Sequence, residues 1–377
     1  MRSPHRVQQP RKVLVTALIT FSFLFSYANS AEALAVPEQF IRLASSPTLA
    51  APGVLLFDPT NQQTLFSLDP DVERAPASVL KLLSMATVLN VLSPDLQFQT
   101  TISATDKSDT FFLAGSYDPW LTQNGFEEQQ YGRAFSPTLI DSVLNMHPEL
   151  KSITLEYKDV YEMDIQALQK YFAGRVNITP VRVNTTSDAT TEIASIHSPP
   201  LSKIIEFTLL YSDNSLADRL AHTAAKAMGF TSDPAGLLSA FTKTLTDLGI
   251  SATGIRIFDG NGLSHHDRVS AHQILQLLLA IKADPKFQPI LEGLPTSGKT
   301  GTLKYRFVND APNAVGLVHA KTGWINTTIS LAGFVTVGAN EYVFAIIANH
   351  THNLESARQA ARVTIDQMLG TIAKPQK

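Results

Sequence analysis

The stretch Pro76–Leu92, PASVLKLLSMATVLNVL, constrains this chain more than any other. Leu80, Leu82, Leu83, Met85, Ala86, Val88, Leu89 and Val91 leave almost no polar stripe on a helix drawn through them, so the rest of a domain must enclose that helix. Pro76 and Ser78 suit its first turn. Ser78 and Lys81 are spaced by three, which puts a hydroxyl and an amine one turn apart on the same face. In an apolar setting an ammonium loses its proton more readily, and the amine can take the proton of a serine hydroxyl as it attacks a carbonyl. The helix N-terminus adds backbone N–H groups where an oxyanion would form. A capping serine followed by a snorkelling lysine is the plain structural alternative, and Ser-x-x-Lys alone does not decide between the two.

With 377 residues, 44% hydrophobic and 17% charged, the chain has material for two domains, or for one domain with a large insertion around a sizeable core. A net charge of −3 gives no electrostatic case for nucleic acid or an anionic membrane surface as a partner. The chain has no cysteine, which excludes disulfides, cysteine-type zinc sites, a cysteine nucleophile and lipid attachment through cysteine.

Residues 1–35 read as an export signal. Arg2, Arg6, Arg11 and Lys12 form a basic region, Val13–Phe25 is mostly apolar, and Ala28-Asn29-Ser30 or Ala33-Leu34-Ala35 supplies small residues for cleavage. The apolar run is shorter than the roughly 20 residues of a stable membrane span, with an uncleaved signal anchor as the alternative. The expectation is an exported protein of the periplasm, cell envelope or extracellular space, with no stable span once the signal is removed.

After the signal, 37–44 reads as a short helix, and 53–57 and 64–68 as a hairpin that leads into the buried helix. Further strands are expected at 98–102 and 110–114, helices near 137–146 and 164–172, and a polar loop at 183–192. Helical patterns at 199–211, 214–228, 234–248 and 270–281 make a helical lobe. Strand patterns return at 314–321, 328–337 and 342–348, and 354–369 closes the chain as a helix. Pairing the late strands with the early hairpin gives an α+β fold, an antiparallel sheet flanked by helices, with a helical lobe and a small inserted subdomain. The expected organisation is a main domain in two parts, 36–122 and 195–377, around a subdomain at 123–194.

Two more motifs have chemistry that fits Ser78 and Lys81. Ser212-Asp213-Asn214 stands at a helix junction, where capping is its structural alternative. Functionally, Ser212 would relay a proton and Asn214 would bond a substrate amide and Lys81. Lys321-Thr322-Gly323 closes a strand. It is either an edge turn with an exposed lysine or a strand edge that pairs with an extended peptide, Lys321 and Thr322 holding a carboxylate and Gly323 permitting close approach. A second copy, Lys299-Thr300-Gly301, lies among turn residues, so Lys321 is preferred. His265-His266-Asp267 is the one arrangement that could hint at a metal, but adjacent histidines rarely face the same way, and no metal or cofactor is implied.

Ser-x-x-Lys occurs once in the chain and Ser-x-Asn once, and with Lys-Thr-Gly they stand in the order characteristic of penicillin-binding proteins and serine β-lactamases. FFLAGSYDPWLT, IHSPPLSKIIEFTLLYSDNSLADRL, FDGNGLSHHDRVSA, SGKTGTLKYRF and HAKTGWINTTISLAGFV make the resemblance more specific. The chain resembles the class C low-molecular-mass penicillin-binding proteins, the D-alanyl-D-alanine carboxypeptidase/endopeptidase group, over most of 50–350. The resemblance implies a transpeptidase-type fold, peptidoglycan stem peptides as substrates and acylation by β-lactam antibiotics. It makes Ser78 the nucleophile, Lys81 its base, and Ser212, Asn214 and Lys321 their catalytic partners. Asp213, Thr322, Gly323 and Trp324 become substrate-binding positions, with the N–H groups of Ser78 and Trp324 as oxyanion hole. Asp118 and 259–264 become structural supports. Trp324 stands where a smaller residue is commoner, Asp218 replaces a usual glutamate, and the interval from Ser78 to Ser212 is short for the family. A β-lactamase or esterase of the same fold, or a non-catalytic wall-binding relative, are the competing readings.

Overall fold

The structure, a computed structural model, describes residues 35–185 and 191–375. The expected export signal up to residue 34, and 186–190 of the expected polar loop, lie outside the described residues. Helix α1 (Glu38–Ala44) precedes the hairpin β1 (Ala51–Asp58) and β2 (Gln63–Leu68), whose turn is closed by the Asp58 carboxylate accepting the N–H groups of Thr60 and Asn61. A 3₁₀ turn at Ala77–Leu80 runs into α2 (Lys81–Val91). There follow β3 (Gln99–Ala104), β4 (Thr110–Ala114), β5 (Leu121–Thr122), α3 (Gly125–Tyr131), β6 (Ala134–Phe135), α4 (Pro137–Met146), β7 (Ser152–Lys158), α5 (Glu162–Phe172), β8 (Asn177–Arg182) and β9 (Thr191–His197). The helical lobe is α6 (Leu201–Tyr211), α7 (Asn214–Ala227), α8 (Pro234–Asp247), α9 (Ala271–Ala283) and α10 (Gln288–Glu292). The chain returns through β10 (Val318–Ile325), β11 (Thr328–Val337) and β12 (Asn340–Asn349) and closes with α11 (Glu355–Ile372).

Both ends of the chain meet in one antiparallel sheet, in the order β10-β11-β12-β1-β2, as the hydrophobic patterns imply. Its strand β11, TISLAGFVTV, is buried along nearly its whole length because α9 and α11 both pack on the sheet. A strand covered on both faces has no polar alternation. Helix α2 packs against α7, α8 and α9, and every residue from Lys81 to Leu89 is buried. The absence of a polar stripe in its sequence has this cause: Leu82, Met85 and Val88 share one core with Leu216, Leu220, Phe241 and Leu278 of the surrounding helices.

The second sheet differs from expectation. Its order is β8-β7-β4-β3-β9, with β4, β7 and β8 mutually parallel. Strands β3 and β4, expected with the first part of the main domain (36–122), belong here instead. Four of the five residues of β4 are buried, and its backbone is satisfied by β3 on one side and β7 on the other. Ile102, Phe111, Leu113, Leu139, Leu155 and Leu168 form a core of their own under α4 and α5.

Candidate active site

Ser78 is the second residue of the 3₁₀ turn and 8% exposed, while Lys81 is fully buried one turn on. Lys81 Nζ lies 2.8 Å from Ser78 Oγ, 2.8 Å from Asn214 Oδ1 and 2.7 Å from the Asn261 carbonyl oxygen. As an ammonium it donates to all three. As an amine it keeps its two protons for the Asn214 and Asn261 oxygens and turns its lone pair to the Ser78 hydroxyl. Burial pushes the Lys81 amine down to about 7, against the opposing pull of the Asp259, Asp213 and Asp218 carboxylates. Both forms are therefore present near neutral pH.

The start of this turn is strained and clamped. Ala77 has φ 51°, a left-handed conformation that costs a side-chain-bearing residue about 1–2 kcal/mol. The Ser330 hydroxyl of β11 donates to the Pro76 carbonyl at 2.6 Å. Asn349 of β12 accepts from the Ala75 N–H at 2.8 Å and donates to its carbonyl at 3.0 Å. The central sheet thus fixes the position of Ser78 through two polar side chains that no motif marks.

Ser212, at the C-terminus of α6, also sits in the left-handed region, φ 59°, which turns the chain sharply into α7. Its Oγ accepts a hydrogen bond from Lys321 Nζ at 2.8 Å, and Lys321 donates a second to the Thr322 carbonyl at 2.9 Å. Lys321 is fully buried, and burial together with the nearby Lys81 charge holds its pKa well below that of an ordinary lysine. Lys321 therefore contacts the Ser212 hydroxyl and does not line the open cleft, contrary to the expectation that it faces a substrate carboxylate directly. Asp213 departs from expectation as well. Its carboxylate caps α7 through the Leu216 N–H at 2.8 Å and lies 3.7 Å from Arg133, so the capping alternative holds for the middle residue of this motif.

The cleft above Ser78 has a volume of about 320 Å³ and is lined by Ser212, Asn214, Thr322, Gly323 and Trp324. β10 is an edge strand, as expected, but the motif lies in its middle and only part of the edge is free. The segment from Pro295 to Ser297 covers Val318–Ala320 by hydrogen bonds to its backbone, which leaves the stretch from Thr322 onward at the cleft. Lys299 is exposed in a turn away from Ser78, whereas Thr302, just past that second Lys-Thr-Gly, bonds Thr322 Oγ1 at 2.8 Å. Leu263, from the 259–264 segment, lines the cleft, as do Thr302, Arg306 and Arg362, which were not singled out from sequence. The segment SGKTGTLKYRF holds the signal for two of them, and nothing local marks Arg362.

The loop 259–264 supplies the third ligand of Lys81. Asp259 accepts N–H bonds from Asn261, Gly262 and Ser264, and Asp218 of α7 accepts the Gly260 N–H at 2.8 Å. These bonds aim the Asn261 carbonyl at Lys81. Asp118 is buried away from the cleft, accepting the Trp120 N–H, and burial pushes its carboxyl up to about 6.

The profile of the D-Ala-D-Ala carboxypeptidase 3 (S13) family matches residues 140–371, more than half of the chain. The chain belongs to this S13 family. The matched region carries Ser212, Asn214 and Lys321 and begins after Ser78 and Lys81. Over 187 residues the chain is 31% identical to "Carboxypeptidase DacB" of Mycolicibacterium smegmatis, an alignment covering 48% of this chain and 39% of that protein. It is 24% identical to a carboxypeptidase of Mycobacterium tuberculosis over 81% of this chain and 78% of the relative. Among solved structures, penicillin binding protein 4 (dacB) of Haemophilus influenzae superposes with a TM-score of 0.70 at 17% identity, covering 86% of this chain and 96% of that one. The Bd3459 predatory endopeptidase of Bdellovibrio bacteriovorus superposes with a TM-score of 0.61 at 17% identity, covering 86% and 93%. These likenesses establish the penicillin-binding-protein/β-lactamase-like fold of this S13 member.

Proposed function

We propose that this S13 chain is a serine DD-peptidase of peptidoglycan, cleaving D-alanyl-D-alanine bonds as carboxypeptidase, endopeptidase or both. The observation that carries this reading is Lys81 Nζ held between Ser78 Oγ and Asn214 Oδ1, each at 2.8 Å. Ser78 Oγ attacks the carbonyl of the penultimate D-alanine as its proton passes to Lys81. The N–H groups of Ser78 and Trp324 stabilise the oxyanion. Collapse of the tetrahedral adduct expels the amine of the leaving group, which takes a proton from the Ser212 hydroxyl, held by Lys321; the proton that Lys81 took from Ser78 then restores Ser212 and returns Lys81 to the amine form. Water then releases the acyl group from Ser78. A β-lactam amide is opened by the same attack and leaves a slower-hydrolysing acyl-enzyme. Thr322, with Thr302 and the Arg362 guanidinium, would receive the terminal carboxylate, the charge of the neighbouring Arg306 being paired with Asp366.

The basic and apolar N-terminal segment supports export to the periplasm or cell envelope, and among the described residues no helix is long and apolar enough to cross a membrane. We place the inserted unit at 99–197, the span of the second sheet, with the peptidase part on either side. The direct test incubates the protein with diacetyl-L-Lys-D-Ala-D-Ala and with a cross-linked muropeptide dimer. Release of D-alanine or of monomers, lost in Ser78→Ala, is expected; cleavage of neither substrate by folded protein would overturn the assignment.

A further inference from the structure

A larger cavity, of about 710 Å³, lies between α7 and the second-sheet unit, and the mechanism does not use it. Tyr117 and Tyr161 form its aromatic wall, their rings edge to face at 5.3 Å. Arg219 lies 4.4 Å from the Tyr161 ring centroid and is neutralised by a bidentate pair with the buried Asp164. Lys226 Nζ lies 4.2 Å over Tyr117, and Arg182 comes from the end of β8, so two further cations from different elements line the hollow, with the Glu162 carboxylate, bonded by the Tyr157 hydroxyl, also in its wall. Ser232 adds a hydroxyl suited to a peptide amide, whereas those of Ser116 and Thr223 already bond the Gln99 backbone and the Arg219 carbonyl. The volume is that of a site for a small organic ligand or short peptide.

The cavity is joined to the catalytic cleft by one stripe of α7. Asn214 lines the cleft, and Asp218, His222 and Lys226, at successive intervals of four, line the cavity. At about 1.5 Å per residue, Asp218 follows Asn214 by roughly 6 Å and Lys226 follows by roughly 18 Å. Asp218 is shared: it lines the cavity while its carboxylate holds the Gly260 N–H, next to the Asn261 carbonyl that bonds Lys81.

We infer that this cavity is a second binding site, for a short peptide bearing free carboxylates, with Lys226 and Arg182 taking the carboxylate and Tyr117 and Tyr161 the peptide's apolar surface. Its occupant being a wall stem peptide rests on the function proposed above; the site itself rests on its geometry. Such a segment lies against Asp218, whose carboxylate holds the Gly260 N–H, without entering the catalytic cleft.

The test uses fluorescently labelled L-Ala-γ-D-Glu-L-Lys, measured by anisotropy on the whole protein before and after saturation of Ser78 with benzylpenicillin. Saturable binding that persists in the acylated protein is expected, with at least tenfold weakening by Lys226→Glu and by Tyr117→Ala, and a smaller loss in Lys226→Met. The γ-D-glutaminyl analogue, lacking that carboxylate, should also bind at least tenfold more weakly. Thermal melts establish that the variants are folded, and Lys226→Met, at an exposed position, keeps the comparison meaningful if Tyr117→Ala unfolds. Binding abolished by penicillin, or unchanged in folded Lys226→Glu, or equal for the neutral analogue, would overturn the inference. If penicillin forms no adduct while the peptide still binds in a Lys226-dependent way, the catalytic reading fails and the second site stands.

Discussion

Lys81 Nζ lies 2.8 Å from Ser78 Oγ and 2.7 Å from the Asn261 carbonyl, a residue 180 positions further along the chain. The amine proposed to activate the serine is thus aimed by a loop outside its own helix. With the Asn214 oxygen as the second acceptor, only one direction is left for the lone pair, towards the hydroxyl.

The rate of acylation should follow the amine form of Lys81. Because burial lowers its pKa to about 7, the fraction of neutral base rises as pH rises through 7 and levels off above it. Stopped-flow acylation by a chromogenic cephalosporin between pH 5.5 and 9 should show that single rise. A rate that falls over the same range would mean that the ammonium is the working form.

Lys81→Met should slow acylation by about 10²–10⁴-fold, the usual range for losing a positioned base. It should also change the pH dependence of stability. The folded pKa of Lys81 lies below its ordinary 10.5, so the cost of housing this group is full below about 7 and shrinks as pH rises towards 10.5. The stability of Lys81→Met relative to wild type, measured in urea, should therefore decline between pH 7 and 10. A difference independent of pH would contradict the buried, depressed amine.

Lys321→Ala removes the donor that holds Ser212 Oγ at 2.8 Å. A loss of about 2–4 kcal/mol in kcat/KM on the D-Ala-D-Ala peptide is expected, as for other groups that stabilise a developing charge or proton transfer. Lys299→Ala should leave the same quantity within a factor of two, because that lysine is exposed in a turn. The reverse ranking of the two variants would exchange their roles.

A methyl group at Gly323 would overlap Ser330 Oγ and come within 2.8 Å of the Pro76 carbonyl, the two groups that hold the Ser78 turn in place. Gly323→Ala should reduce acylation at least tenfold with little change in far-UV circular dichroism. An unaltered rate would show that the turn tolerates displacement.

Asp259 accepts three backbone N–H groups within its own loop. Asp259→Ala leaves them without that acceptor, and a stability loss of about 1–3 kcal/mol is expected together with slower acylation. Stability lost without any change in rate would separate the loop from the orientation of Lys81.

Spacing placed Ser78 beside Lys81, because i and i+3 on a helix are neighbours whatever surrounds them, and the two further motifs gave that pair its catalytic reading. The uniform apolarity of α2 likewise foretold its enclosure. Ser330 and Asn349 were not legible, since each acts on a partner far away in sequence, and a single polar residue in a strand has no periodicity to betray it; Asn261 lay in the 259–264 segment marked as a support, but its contact with Lys81 left no sign. Asp213 misled for the opposite reason: the same residue type caps helices and binds substrates, and only the Leu216 N–H at 2.8 Å separates the two. Strands β3 and β4 were recognised as strands, but their place in the second sheet was not. Pairing between segments 40 and more residues apart, such as β4 with β7, is set by burial on both sides and leaves no local mark.

The most direct measurement is the intact mass of the protein from Val36 onward, with and without benzylpenicillin, beside Ser78→Ala. One stoichiometric adduct on the wild type and none on the folded variant is the expected result. A folded wild-type protein that gains no mass, or an adduct that persists in Ser78→Ala, would contradict Ser78 as the acylated nucleophile.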